Sequence, residues 1–287
     1  MLAGGTHGSY SLEILSTESS LSRKRLAELP FAIYDTPLLF HYGKTILICG
    51  GGDNENKCLM HERGTWKDHS YLNKYRTFAS AVTTVEGKFI FGGRNSDRTF
   101  EYLPQQSKRW KIGQTNIPDG FTGGCGVALP AQRKILLIGG EGTEKRILQF
   151  DMSSGAFEEM RLSLIKGRSY HACARIPDTS QIVITGGFDS DGNEHGTTEI
   201  LNFEDNTIML GNSMNTKRDS HGMALISTDD EDRLAVFGGI DENLVPLDSV
   251  ETFNSKTKKW EVSDLKLGGD KTSFGYTSIL NDFISKL

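Results

Sequence analysis

Two histidines in this chain are candidates for chemistry, because each follows an arginine by three residues and precedes an apolar segment. His171 follows Arg168, and His221 follows Arg218. Cys125 stands at the corresponding place before another apolar segment. Imidazole and thiolate groups bind zinc or copper, and imidazole also transfers protons near neutral pH. None of these residues has a further ligand at the spacing of a metal site, so the sequence predicts no metal here.

An acidic loop in the second half of the chain is another place to look for a ligand. Asp189, Asp191 and Asn193 alternate along the sequence as the ligands of a calcium loop do. The EF-hand pattern needs glycine at its sixth position and glutamate at its twelfth, but Glu194 and Ile200 occupy them. We therefore interpret this loop as a polar connection between strands.

The common signatures of catalysis are missing from the sequence. It contains no GxSxG, no HExxH, no P-loop and no dinucleotide-binding fingerprint. The sequence therefore predicts no catalytic residues and no cofactor.

The composition narrows the kind of partner. The chain has 287 residues, of which 24% are charged, and its formal net charge is -5. Such a surface does not suit nucleic acid, and no apolar run reaches the roughly 18 to 20 residues that cross a bilayer. No signal peptide and no glycosylation sequon is visible, so we expect a cytoplasmic protein.

The cysteines give no sign of a metal ribbon or a disulfide framework. Cys49, Cys58, Cys125 and Cys173 form no CxxC pair and have no regular spacing. We therefore expect free thiols.

A hydrophobic run that ends in a double glycine recurs along the whole chain. The second glycines are separated by 42 to 52 residues. They are Gly5, Gly51, Gly93, Gly140, Gly187 and Gly239. Each run follows a small and apolar segment and precedes a segment that often contains glutamate. Such short segments, rich in Ile, Val, Phe and Thr and bounded by Gly, Asn, Asp or Ser, predict strands joined by tight turns.

The period of the repeat predicts the fold. Four short strands in a unit of about 40 to 50 residues are typical of one β-propeller blade, so the repeats predict an all-β, six-bladed propeller of four-stranded antiparallel blades. Near the axis, positive φ and close backbone contacts favour glycine, because it has no Cβ. We expect Trp66, Trp110 and Trp260 to fill the wider gaps between blades farther out.

The double glycines, the downstream glutamates and the tryptophans resemble the Kelch repeat, and the resemblance covers essentially the whole chain. The first unit departs from the family pattern because it lacks the aromatic, and the fifth departs because it has NTIML there. The resemblance implies a single propeller domain over residues 1–287. It further implies that a strand within residues 270–280 completes the N-terminal blade and so hides two sheet edges.

The resemblance also implies that an arginine at the start of an innermost strand borders the face where peptides dock. The residues at that place, and the histidines that follow, are Arg76, Arg168, His171, Arg218 and His221. They are therefore candidate ligand-binding residues, since guanidinium groups pair well with the carboxylates of a partner. The alternative is that each arginine pairs with an acid or a carbonyl group of a neighbouring blade.

These features together favour a non-catalytic module that binds a partner protein or peptide on one loop face, as a substrate-recognition or cytoskeleton-binding unit does. We expect recognition at the longer connections, residues 188–196 and 240–247. The alternative is a small-molecule enzyme or a sugar-binding protein that uses the mouth of the propeller channel. Neither a nucleic acid nor a membrane is expected as a partner, and the sequence leaves the oligomeric state open.

Overall fold

The computed structural model describes residues 2–3, 12–16, 22–25, 28–30, 38–42, 45–50, 56–62, 64–227, 232–254, 257–269 and 275–276. The regular structure of these residues is almost entirely β. In chain order the strands are β1 (Leu2–Ala3), β2 (Leu12–Ser16), β3 (Ser22–Arg25), β4 (Leu38–Tyr42), β5 (Thr45–Cys49), β6 (Lys57–Glu62), β7 (Thr65–Tyr71), β8 (Ser80–Thr83), β9 (Gly87–Phe91), β10 (Phe100–Pro104), β11 (Lys111–Ile112), β12 (Cys125–Leu129), β13 (Lys134–Ile138), β14 (Ile147–Asp151), β15 (Phe157–Glu159), β16 (Ala172–Arg175), β17 (Gln181–Thr185), β18 (Thr198–Asn202), β19 (Thr207–Gly211), β20 (Gly222–Ser227), β21 (Asp232–Phe237), β22 (Ser249–Asn254), β23 (Lys259–Lys266) and β24 (Gly275–Tyr276). A 3-10 turn, Pro130–Gln132, lies between β12 and β13.

Runs of four consecutive strands form antiparallel sheets, and these sheets are the blades of a β-propeller. We name them blade A (β4–β7), blade B (β8–β11), blade C (β12–β15), blade D (β16–β19) and blade E (β20–β23). The first strands of neighbouring blades contact each other and therefore surround the centre of the propeller. The prediction of an all-β propeller with four-stranded antiparallel blades is confirmed.

The strands at the two ends of the chain form a further sheet in the order β24, β1, β2 and β3. In this sheet Leu2 lies opposite Tyr276, so the last strand is antiparallel to the first. The first strand of blade A also contacts β24.

The apolar core lies between the faces of neighbouring blades. In the cluster between blades C and D, for example, Val127 and Leu136 pack with Ile182 and Ile184, and these four side chains are buried. Corresponding clusters join blade A to B, B to C, and D to E. Burial of this apolar surface is the main term that holds the blades together.

Two of the three tryptophans also tie neighbouring blades together, as predicted. Trp110 of blade B donates a hydrogen bond from its indole to Ser70 Oγ of blade A, over 3.2 Å. Trp260 of blade E donates in the same way to Thr198 Oγ1 of blade D, over 2.9 Å. Trp66 packs edge-on against the His61 ring within its own blade.

The double glycines of blades B, C, D and E have positive φ, as predicted, whereas Gly5 and Gly51 lie outside the described residues. Gly139 and Gly140 have φ values of 62° and 106°. A Cβ on Gly139 would lie 2.5 Å from the carbonyl oxygen of Arg168 in the next blade, and one on Gly140 would lie 2.7 Å from that of Thr122 in its own blade. The first glycine therefore permits contact between blades, and the second permits contact within a blade.

The prediction of free thiols is wrong. Cys49 and Cys58 lie opposite each other on β5 and β6 and form a disulfide. Cys125 and Cys173 form a second disulfide, which joins the first strands of blades C and D. Sequence spacing could not show either pair, because the partners meet only after strands pair and blades pack.

The prediction that Cys125 occupies the place equivalent to His171 and His221 was wrong by one residue. Cys125 lies opposite Ile138, directly before Gly139, whereas Ala172 lies opposite Thr185, directly before Gly186. Cys125 therefore corresponds to Ala172 and not to His171. A shift of one residue along a strand points a side chain to the other face.

Within the described ranges, no helix has the length and apolar character needed to span a membrane.

Candidate functional site

Blades B, D and E share one arrangement at one end of the propeller, where the residue after the double glycine meets the segment that precedes the innermost strand. The residue after each double glycine forms an isolated β-bridge with the segment that enters the innermost strand. These bridges are Thr77 to Arg94, Ser169 to Phe188, and Asp219 to Ile240. We name this end of the propeller the glycine face.

The three predicted arginines lie inside the protein beneath the glycine face. Arg76, Arg168 and Arg218 are each 0% exposed. Each guanidinium donates a hydrogen bond to the carbonyl oxygen of the first glycine of its own blade, over 2.6 to 2.8 Å. Each also pairs with a buried glutamate of its own blade: Arg76 with Glu101 at 3.2 Å, Arg168 with Glu199 at 2.6 Å, and Arg218 with Glu251 at 2.8 Å.

Each of these glutamates also holds the connection that arrives from the preceding blade. Glu199 accepts hydrogen bonds from the backbone N–H groups of Ile165, over 2.8 Å, and Lys166, over 3.0 Å. Burial lowers the pKa of Arg168, and the negative charge of Glu199 opposes that shift. The geometry thus gives the buried pair a positioning role, because it fixes the loops that form the glycine face.

Blade C shows what replaces the ion pair. Phe121 stands at the place of the arginine, since its carbonyl oxygen accepts from Gly93 N just as that of Arg168 accepts from Gly140 N. Leu148 stands at the place of the glutamate, and both side chains lie in the apolar cluster between blades B and C. In blade C an apolar pair therefore occupies the places of both charged residues.

The two predicted histidines are also buried and sit at the joints between blades. A Cβ on Gly139 would lie 2.7 Å from His171 Cε1, and one on Gly186 would lie 2.5 Å from His221 Cε1. His221 Nε2 also shares a hydrogen bond with Thr185 Oγ1 of blade D, over 3.0 Å. Burial lowers the pKa of His171 to about 3 and that of His221 well below its usual value. Both rings are therefore neutral packing groups at neutral pH.

A series of backbone hydrogen bonds links the blades where the channel opens on the glycine face. Gly123 N donates to Phe78 O over 2.9 Å, Tyr170 N donates to Gly123 O over 2.6 Å, and Ser220 N donates to Tyr170 O over 2.8 Å. The four residues belong to blades B, C, D and E, and all have positive φ. They define the mouth of the channel.

The side chain of Tyr170 crosses this mouth. Its ring lies over Gly123, where a Cβ would be 3.1 Å from Tyr170 Cε2. On one side it meets Phe78 edge-on, with ring centroids 5.2 Å apart, and on the other it stacks on Phe188, also at 5.2 Å. A Cβ at position 123 would therefore force the ring to shift from this position.

Charged groups surround the Tyr170 hydroxyl. It donates a hydrogen bond to Glu141 and accepts one from Arg94 Nη2 over 3.1 Å, and Arg94 pairs with Glu141 at 3.3 Å. Arg94 also lies over the Phe78 ring, 4.9 Å from its centroid. Burial and the Glu141 charge raise the pKa of Tyr170, so the phenol is a donor at neutral pH. We name Phe78, Arg94, Glu141, Tyr170 and Phe188 the mouth cluster.

Unlike the predicted arginines, the charged members of the mouth cluster reach solvent. The side chains of Arg94 and Glu141 are 56% and 40% exposed. Sequence reasoning missed these residues. The signal that could have found them is their place directly after the double glycine, where blades B, C, D and E carry Arg94, Glu141, Phe188 and Ile240.

Two carboxyl groups meet on the same face between blades D and E. Burial and the neighbouring charge of Asp219 raise the pKa of Glu194 to about 7, and Asp241 and Glu242 add to the shift. Burial also raises the pKa of Asp219. Asp219 occupies a place that Thr77 and Ser169 hold in blades B and D. An acid at this place is therefore peculiar to blade E among those three.

A groove of about 680 Å3 lies between blades C and D on this face, and Glu144, Lys145 and His195 line it. At its edge, Asp189 Oδ1 accepts hydrogen bonds from the backbone of Asp191, over 3.0 Å, and of Asn193, over 2.9 Å. This carboxylate thus organises its own polar loop. Within the described part of the chain, no three His, Cys, Asp or Glu side chains are grouped to hold a metal ion.

No protein-family model matches the chain, and no curated protein matches it significantly. The fold and the geometry of the glycine face are therefore the observations from which a function can be inferred.

Proposed function

We propose that this chain is a non-catalytic interaction module that binds a partner protein or peptide on its glycine face, at the mouth cluster. The observation that supports this most directly is that the mouth cluster presents charged groups to solvent and is held by backbone hydrogen bonds between blades. Arg94 and Glu141 are open to solvent beside the rings of Tyr170 and Phe188. Rings of this kind and arginine are enriched where protein interfaces gain most of their binding energy.

The support beneath the cluster is stiff. Backbone hydrogen bonds join one blade to the next at the mouth, and the buried Arg–Glu pairs hold the adjoining loops. A preformed surface loses little conformational entropy on binding. In this proposal Arg76, Arg168, Arg218, His171 and His221 act on ligand binding indirectly, by positioning those loops.

The experiment compares two surface ion pairs that both join blade B to blade C. The test variant is Arg94→Ala with Glu141→Ala on the glycine face. The matched control is Arg133→Ala with Glu86→Ala, which removes a pair with a 3.2 Å contact between other loops. A photo-reactive phenylalanine at position 188 reports which proteins of a native extract touch the face, and mass spectrometry identifies them. We expect the test variant to lose the cross-linked partner and the control to keep it. Equal cross-linking by both variants would contradict the proposed site.

We further propose that the repeats are of the Kelch type, and that the sheet of β24, β1, β2 and β3 is the sixth blade of one domain spanning residues 1–287. The regular spacing of the double glycines and the pairing of Leu2 with Tyr276 support this. Deletion of residues 270–287 should then lower the melting temperature of the whole domain, and unfolding should remain a single cooperative transition. A melting curve identical to that of the full chain would contradict closure by β24.

The cytoplasmic location expected from the sequence stays a prediction, and the two cysteine pairs weigh against it. Disulfides persist mainly in oxidising compartments. Alkylation of the protein in intact cells, followed by mass spectrometry, would decide the point. Four alkylated thiols would favour the cytoplasm, whereas protected cysteines would favour an oxidising compartment.

A small-molecule site is the second candidate function, and the groove between blades C and D favours it. Its volume of about 680 Å3 is in the usual range of ligand pockets, and cationic and anionic groups line it. Thermal-shift screening of monosaccharides and sugar acids tests this candidate. A shift that is lost on Lys145→Ala would support it.

A further inference from the structure

The two disulfides differ in what surrounds them. Cys49 and Cys58 are 0% exposed and lie in the core cluster between blades A and B, beside Leu47 and Leu72. Cys125 and Cys173 also belong to an apolar cluster, the one between blades C and D, but they are 7% and 6% exposed and lie on the innermost strands, which surround the channel. Both pairs are thus packed among apolar side chains, but only the second retains some exposure and lies close to the channel surface.

Cys173 lines an open pocket in that channel. The pocket has a volume of about 410 Å3, and the innermost strands of blades B, C, D and E contribute to its wall. Most of the wall is small or apolar, including Val82, Ala174 and Leu225. Pro130 and Pro177 also line it, and they follow the ends of β12 and β16 that lie away from the glycine face. The pocket therefore opens at the end of the channel opposite the mouth cluster.

We infer that this pocket is a thiol-exchange site, at which a small thiol reduces the Cys125–Cys173 disulfide while the rest of the protein stays folded. The inference is independent of partner binding on the glycine face. It rests on the position of Cys173 in the wall of an open pocket and on the enclosure of the other disulfide. Thiol–disulfide exchange needs direct attack on a sulfur atom, so access decides which bond reacts first.

The reaction with a dithiol reductant balances as follows. A thiolate of the reductant attacks Cys173 Sγ, the S–S bond breaks, and its electron pair leaves on Cys125 Sγ, which then takes a proton from water. The second thiolate of the reductant then attacks the reductant sulfur of the mixed disulfide and releases the Cys173 thiolate, which also takes a proton from water. The protein gains two electrons and two thiols, and the reductant becomes a cyclic disulfide.

The product has a place for the new thiol of Cys125. Its Sγ lies 3.5 Å from the carbonyl oxygen of Cys173, so a thiol there has a hydrogen-bond acceptor. This contact keeps the two sulfurs near each other and favours reoxidation. We therefore expect the exchange to be reversible in the folded protein.

The experiment measures the reduction of each disulfide separately. Air-oxidised, folded protein is treated with dithiothreitol in buffer without denaturant, quenched with iodoacetamide at intervals, and digested for mass spectrometry. We expect Cys125 and Cys173 to become alkylated about tenfold faster than Cys49 and Cys58, or more. Equal rates, earlier reaction of Cys49 and Cys58, or the absence of a Cys125–Cys173 bond after oxidation would overturn the inference.

Filling the pocket tests the route of access. Ala174→Phe places a ring in the pocket and should slow the reduction of Cys125–Cys173 several-fold, with Cys49–Cys58 unaffected. The matched control is Ala156→Phe, since Ala156 is exposed in the turn between β14 and β15. A comparison of 2-mercaptoethanol with a bulky aromatic thiol needs no substitution, so the test does not depend on folding of a variant. An unchanged rate in both tests would show that the reductant does not use the pocket.

Discussion

Arg168 Nη2 lies 2.6 Å from Glu199 Oε1, and both side chains are completely enclosed by the protein. At the corresponding places of blade C, Phe121 and Leu148 fill the same space without charge. The propeller thus contains both solutions to one packing problem, a buried ion pair and an apolar pair. This makes the contribution of the ion pair measurable within a single protein.

Removal of one partner should be costly. Arg168→Met leaves the Glu199 carboxylate buried without its guanidinium, which we expect to lower the free energy of unfolding by about 3 to 5 kcal/mol. Urea denaturation followed by circular dichroism measures the change.

Removal of both partners should cost less. Arg168→Phe with Glu199→Leu copies blade C, and we expect it to recover at least half of the stability that Arg168→Met loses, because no charge is left unpaired. A double variant that is less stable than Arg168→Met would contradict the equivalence of the two pairs.

Gly139→Ala and Gly142→Ala separate the two demands on glycine. Both residues have positive φ, but a Cβ on Gly142 would meet no atom within 4 Å. We expect Gly142→Ala to cost about 1 to 2 kcal/mol from backbone strain alone. Gly139→Ala should cost about 2 to 5 kcal/mol, because its Cβ would also overlap the next blade. Equal losses in thermal unfolding would show that the blades are not in such close contact.

The buried histidines should make the protein sensitive to acid. The pKa of His171 is about 3 in the folded protein, whereas an unfolded histidine has its usual value near 6.5. The unfolded chain therefore binds more protons in this range, so stability should fall as the pH decreases from 6.5 towards 3, by up to about 1.4 kcal/mol per pH unit for one such histidine. His171→Gln should reduce this slope in urea titrations between pH 4.5 and 6. A slope equal to that of the wild type would show that His171 is protonated in the folded state.

The carboxyl pair between blades D and E should act in the opposite direction. The pKa of Glu194 is raised to about 7 because Glu194 is partly buried and faces Asp219, Asp241 and Glu242, while Lys217 pairs with Glu242. A raised pKa favours the folded state at low pH, and this contribution is lost as the pH rises from about 4.5 through 7. Glu194→Gln should therefore flatten the change in melting temperature between pH 5 and 8. A profile parallel to that of the wild type would contradict the shift.

The sequence predicts the propeller well because its signal is periodic and local. Runs such as ILLIGG at 135–140 became strands that end in paired glycines, and Trp110 and Trp260 became links between blades. Each of these features depends on residues close in sequence or repeated at a fixed interval. The periodicity of the sequence is therefore enough to predict the propeller fold.

The roles of the arginines were harder to predict, because they depend on residues that are far apart in the sequence. Arg168 and Glu199 are 31 residues apart, and they meet only after the strands of blade D have paired. The sequence does contain one signal of this pairing, because blade C lacks both the arginine and the glutamate. Joint presence and joint absence favour a pair within the blade over a ligand contact. The disulfide between Cys125 and Cys173 had no such signal, since it depends on the packing of two blades.

At the mouth, peptide groups join each blade to the next in addition to the side-chain contacts: Gly123 N donates to Phe78 O, Tyr170 N to Gly123 O, and Ser220 N to Tyr170 O. These backbone hydrogen bonds do not use the side chains at positions 94, 141 and 188. Positions 94, 141 and 188 could be randomised in a library while these backbone hydrogen bonds stay intact. Selection, natural or in the laboratory, can thus change which partner this surface binds without changing the backbone contacts that hold the blades together.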